Sequence, residues 1–143
     1  MTDFARLPFV LDEKALDQAI RRFFIERPGM SSSQAVGAVS ELIMRIGYAK
    51  VRPDVHEEMS KVLVGCWDDE DIPLCDEIAS GLVNFPHLIG RSLLDEKARS
   101  GNPELEAIAR DTLREFPPVW RPGVRRLRSK AGFSRLSPAP GAQ

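Results

Sequence analysis

At 143 residues, with 43% hydrophobic and 29% charged positions, the chain suits a single globular domain burying about two thirds of the surface its unfolded form exposes. Its two cysteines, Cys66 and Cys75, exclude a disulfide scaffold, and its two histidines, His56 and His87, exclude a histidine-rich metal centre. The net charge of −1 hides a division: residues 1–116 hold 14 Lys/Arg and all 21 Asp/Glu (−7), whereas residues 117–143 hold six basic residues and no acid (+6).

Start and stop signals predict six helices between residues 11 and 116. The first runs from near Asp12 to Arg27, with Leu16, Ala19, Ile20, Phe23 and Phe24 at helical spacing and Pro28-Gly29 as its stop. The second starts at Ser31, which has Gln34 at capping-box spacing. It carries Ala35, Val36, Val39, Leu42, Ile43 and Ile46 as its stripe and ends at Gly47. Pro53-Asp54 opens the third, with Glu57 at the capping-box position and Val55, Met59, Val62, Leu63 and Cys66 on one face. The acids Asp68 to Asp71 suit the positive end of a fourth helix, which carries Leu74, Ile78, Leu82 and Val83. Asn84-Phe85-Pro86 breaks it and starts a fifth, with Leu88, Ile89, Leu93, Leu94 and Ala98 inside and Ser100-Gly101 as its end. Asn102-Pro103-Glu104 is the clearest start of all: a capping Asn, Pro at the first helical position, then an acid. Gly37, Gly65 and Gly81 fall inside helices, where they weaken the pattern or allow close helix contact.

From Pro117 the composition changes. Five prolines, three glycines and six basic residues share the last 27 positions, too few large apolar groups to offset ordering entropy. Val119, Trp120, Val124 and Leu127 are the positions able to dock back, and disorder is expected beyond Ser129. The expected organisation is an acidic α-helical body, 1–116, and a basic tail, 117–143. The expected fold class is all-α, either an irregular helical bundle or a short HEAT-like stack of about six helices. No basic stretch followed by an apolar run opens the chain, and no apolar run approaches the about 18 residues that span a bilayer. A cytoplasmic location without membrane contact is therefore expected.

No motif identifies a catalytic chemistry. His56-Glu57-Glu58-Met59-Ser60 begins like a zincin helix but lacks the second histidine, so it reads as a polar first turn. Cys66 with His56 lacks an orienting third group and an oxyanion loop, and as part of an apolar face it reads as core. The glycines are isolated and form no phosphate loop. Neither an enzyme nor a cofactor is expected.

The most distinctive cluster is Asp68-Asp69-Glu70-Asp71 followed by Asp76-Glu77; residues 54–77 contain nine acids and one base, Lys61. Three readings stay open. A Ca²⁺ or Mg²⁺ site lacks the alternating ligands, central glycine and terminal glutamate of an EF-hand. A solvated loop with capping acids is the plain reading. The third is a docking surface for a basic protein, formed by Trp67, Asp68, Asp69, Glu70, Asp71, Asp76 and Glu77, with Trp67 as an aromatic anchor. The tail segment Arg121 to Lys130 is a basic patch suited to nucleic-acid phosphates, to solubility, or to folding back on the acidic body.

Residues 102–116, Asn-Pro followed by an amphipathic helix, resemble one helix of a HEAT-type repeat, a family in which helix pairs stack into a curved scaffold. Paired starts near 12, 54 and 86 are unevenly spaced for such an array. In size, helicity and charge the body is also similar to the immunity proteins with which bacteria neutralise toxins. That resemblance implies an inhibitor docking a basic partner. The alternative is a nucleic-acid accessory protein acting through the tail.

Overall fold

The computed structural model describes residues 1–46 and 51–119. The expectations for Gly47 as a stop, for Trp120, Val124 and Leu127, and for disorder beyond Ser129 lie outside the described residues. Six α-helices and no strand occur among the described residues: α1 (Glu13–Glu26), α2 (Ser32–Ile46), α3 (Pro53–Gly65), α4 (Ile72–Asn84), α5 (Leu88–Lys97) and α6 (Pro103–Glu115).

Most helix starts follow from short polar side chains. The Asp12 carboxylate accepts from the Ala15 N–H at 2.7 Å, Asp71 from Leu74 at 3.1 Å, and Asn102 from Glu104 at 3.0 Å. Ser31 and Gln34 make both bonds of a capping box, at 3.1 and 2.9 Å. The start of α3 corrects the sequence reading. Pro53 occupies the first helical position and forces Arg52 to be extended, so Arg52 is the N-cap, without a side-chain bond. Glu57 therefore lies beyond capping-box reach and pairs with Lys61 at 3.1 Å instead. The cap of α5 is His87, whose Nδ1 accepts from the Ile89 N–H at 3.1 Å.

The helices pack as successive hairpins, α1 on α2, α3 on α4 and α5 on α6. The even helices α2, α4 and α6 lie side by side in one row, and α3 and α5 pack together across from them. Between them sit the fully buried Phe23, Leu42, Met59, Leu63, Ile78, Leu82, Phe85 and Leu94. Phe85, read from sequence only as part of a helix break, closes α4 and enters this core, where the buried Ser60 hydroxyl donates to its carbonyl at 3.0 Å. Beyond α6, Phe116 joins the core and Val119 packs against it.

Close helix approach is set by Gly81 and Gly90. A Cβ at Gly81 would lie 2.9 Å from Leu63 Cδ1, and one at Gly90 2.8 Å from Leu82 Cδ2. Gly37 and Gly65 face open space. Gly90→Ala is expected to cost about 1–3 kcal/mol because Leu82 has no room to retreat. Gly37→Ala is expected to gain about 0.5–1 kcal/mol through helix propensity. Urea unfolding of the two variants checks the opposite signs.

A segment that the sequence reading left unassigned completes the fold. Phe4–Arg6 forms a 3₁₀ turn, with Phe4 buried edge-on to Phe23 at a ring distance of 6.2 Å. The segment is held by Arg45, which lies on α2 and is fully buried. Its Nε and Nη2 donate to the Leu7 carbonyl at 3.1 and 3.0 Å, and Nη2 also to the Ala5 carbonyl at 3.0 Å. Its Nη1 donates to the Glu41 carbonyl at 2.7 Å and to the Glu41 carboxylate at 2.9 Å. All five guanidinium N–H groups are thereby used.

Candidate acidic docking face

The residues expected to bind a partner separate into a loop and a helix face. In the loop between α3 and α4, the Trp67 indole N–H donates to Asp69 at 2.7 Å, and Lys97 of α5 reaches the same carboxylate oxygen at 2.9 Å. The Lys97 side chain is only 12% exposed, so this contact ties the loop to α5. Lys97, and then the indole, hold the Asp69 carboxyl below the usual carboxylate range, and Asp69 raises the Lys97 ammonium in turn. Asp71 is occupied as the α4 cap. The Asp68 carbonyl accepts from the buried Cys75 thiol at 3.0 Å, and its carboxylate accepts from the Glu70 N–H at 3.0 Å. Burial is the main cause that pushes the Cys75 thiol up, which keeps it protonated and unreactive. Trp67, Asp69 and Asp71 thus build the loop, and Asp68, Asp69, Glu70 and Asp71 are all exposed on it.

Asp76 and Glu77 lie one turn further on, on the outer face of α4. Asp76, Ser80 and Asn84, at i, i+4 and i+8, form a crest between two grooves. The α2–α4 groove contains Ile43, Met44, Pro73 and Glu77, whose carboxylate accepts from the Ser40 hydroxyl at 2.7 Å. The α4–α6 groove, about 320 Å³, contains Val83, Ile108, Asp111 and Glu115. Four carboxylates and no Lys or Arg line the two grooves. Beside them Arg114 pairs with Asp111 at 2.6 Å, in a largely exposed setting where such pairs contribute little. Sequence reasoning missed Asp111 and Glu115, because only the packing of α6 on α4 brings them beside Asp76.

Elsewhere the chemistry-bearing residues have structural roles. Cys66 is buried at the end of α3, with Arg27 Nη2 3.6 Å from its sulfur. His56 stands edge-on to Phe85 at a ring distance of 6.0 Å and near His87, whose Nε2 is 4.0 Å from Glu57. Among the described residues, no three His, Cys, Asp or Glu side chains converge as metal ligands. A cleft of about 660 Å³ between α1 and the start of α3 is lined by Leu16, Ile20, Val51 and Val55, with Glu13, Lys14, Asp17 and Arg52 at its edge. Its mixed charges select no ligand class. No described helix is long and apolar enough to cross a membrane. The basic segment 121–130, read as suited to nucleic acid, lies outside the described residues.

Burial lowers the His56 imidazole below the ordinary histidine value, with His87 adding to the effect and the Pro86 carbonyl opposing it. The unfolded chain then holds more protons than the folded one just below the ordinary value of 6.5. Stability is therefore fully present above that pH. It falls as pH drops through 6.5 and continues to fall until the native imidazole protonates. Urea midpoints between pH 7.5 and 5.5 should decline for the wild type and decline less for His56→Gln; equal slopes would contradict this origin.

Comparison with protein-family models, with curated proteins and with solved structures returned no match, so the functional reading rests on this chain's own residues.

Proposed function

We propose that the chain is a protein-binding module of inhibitor or immunity type, which docks a basic partner protein on the outer face of its even-numbered helices. The observation that carries this reading is the pair of grooves flanking α4: four exposed carboxylates, no basic lining residue, and apolar side chains between them. Such a face steers a cationic partner by long-range attraction and gives it apolar surface to bury once docked. Exposed Met44, together with Ile43, Val83 and Ile108, supplies that surface, and the flexible thioether adapts to the partner's shape. Asp68 and Glu70 extend the negative field beyond the N-terminus of α4. Trp67 serves this face indirectly, by bonding Asp69 and fixing the loop. The side-by-side row of α2, α4 and α6 presents these groups on one continuous surface. A toxin with a cationic, nucleic-acid-directed cleft is the partner chemistry that fits.

The test is affinity capture from the host lysate with the full chain and with the variant D76K/E77K/D111K/E115K. These four side chains are exposed and cap no helix, so the variant keeps its fold by circular dichroism. A basic protein retained in stoichiometric amount by the wild type and lost by the variant is expected. Retention that ignores the reversal, or no basic protein retained at low salt, would overturn the reading.

A further inference from the structure

The α4–α6 groove has a cationic segment tethered beside it. Glu115 is both the last residue of α6 and part of the groove lining, and Phe116 and Val119 after it pack on the core. Residues 120–143, which continue from that point, contain six Lys/Arg and no Asp/Glu. The groove offers Asp76, Asp111 and Glu115 around apolar Val83 and Ile108, with no Lys or Arg in its lining. Charge is thus complementary, with the exposed Arg114–Asp111 pair, 2.6 Å apart, as the one local competitor identified.

Length and spacing agree as well. Extended chain covers up to about 3.3 Å per residue, so residues 120–125 reach about 20 Å beyond Val119. The groove crest from Asp76 to Asn84 is about 12 Å long. Asp111 and Glu115 are one helical turn apart, about 6 Å along the axis. Two residues apart in sequence, Arg126 and Arg128 would be about 6.6 Å apart on one side if bound as extended chain. Guanidinium groups at that interval would match the spacing of the two carboxylates, and their methylene stems would cover Ile108 and Val83.

We propose that segment 121–130 of this chain docks in its own α4–α6 groove and acts as an intramolecular competitor for the acidic face. Covalent attachment sets a local concentration on the order of millimolar, so a weak contact fills the groove until a tighter cationic partner displaces it. The docking stands on the groove and the tail alone; the competition rests on the partner reading above.

The experiment records amide NMR shifts of the full chain at low ionic strength, wild type against R125E/R126E/R128E/K130E. Shift changes on the body confined to residues 76–84 and 107–115, reproduced by 0.5 M salt in the wild type and unchanged on dilution, are expected. Combining D111K/E115K with the tail reversal should restore wild-type shifts at residues 80–84, because the pairing is recreated with its signs exchanged. No change in the body, or changes centred on another face, would overturn the docking. Shifts that fade on dilution, with a doubled mass in sedimentation, would overturn the intramolecular form by placing the tail on a second copy. Docking without displacement by any captured basic protein would count against the partner reading and leave the tail contact standing. Partner binding on the grooves with no tail-dependent shifts would do the reverse.

Discussion

Arg45→Ala is expected to lower the free energy of unfolding by about 2–4 kcal/mol, the cost of emptying a fully buried site and leaving its part-buried acceptors without their donor. Typical domains have only about 5–15 kcal/mol in total, so this variant lies near the limit of folding. The guanidinium is fully buried, and its five donors satisfy the Ala5, Leu7 and Glu41 carbonyls and the Glu41 carboxylate. Without it these part-buried acceptors lose their donor, and the Phe9 ring, 4.9 Å from the guanidinium carbon, loses its cation. Arg45→Lys retains the charge but not the planar fork, and should recover only part of the loss. Urea unfolding measures the cost, and limited proteolysis of residues 1–10 locates it, since these residues are anchored through Arg45. A loss below about 1 kcal/mol would show that the N-terminal segment is held by Phe4 alone.

The second large effect is kinetic. For a basic partner isolated on the wild-type chain, D76K/E77K/D111K/E115K should slow association by about 10- to 100-fold at low ionic strength, with a smaller change in dissociation. The reversal replaces four negative charges by four positive ones on a surface that a cation approaches through solvent, where the field acts over about 10 Å. Added salt should slow the wild type strongly and the variant little, or even speed it. Stopped-flow association at two salt concentrations separates this from lost contacts, which would instead accelerate dissociation and leave the salt slope unchanged.

What could be read before the fold was known follows a physical division. Helix boundaries are local events, and Asp12, Ser31 with Gln34, Asp71 and Asn102 announce themselves through side chains that cap their own backbone. The α3 start was misassigned by the same local logic, because Asp54 resembles a cap until the constraint of Pro53 on Arg52 is applied. His87 was not legible as a cap, since imidazole is rarely used in that role. Arg45 was illegible for a different reason. Three positions after Leu42, Arg45 shares the core-facing side of α2, but nothing local shows what a buried guanidinium there would bond, because the Leu7 and Ala5 carbonyls that accept from it are 38 and 40 residues away in sequence. The acidic cluster was visible as a run, but not which of its members are committed. Asp69 depends on Lys97 from another helix, and the extension of the face to Asp111 and Glu115 depends on how α6 packs on α4.

Hydrogen exchange of the full chain, free and with its captured partner, tests the docking face most directly. Slowed exchange confined to α4, the facing turns of α2 and α6, and the 68–71 loop is the predicted result. Protection centred instead on the α1–α3 cleft or on the N-terminal segment, with α4 unchanged, would contradict it.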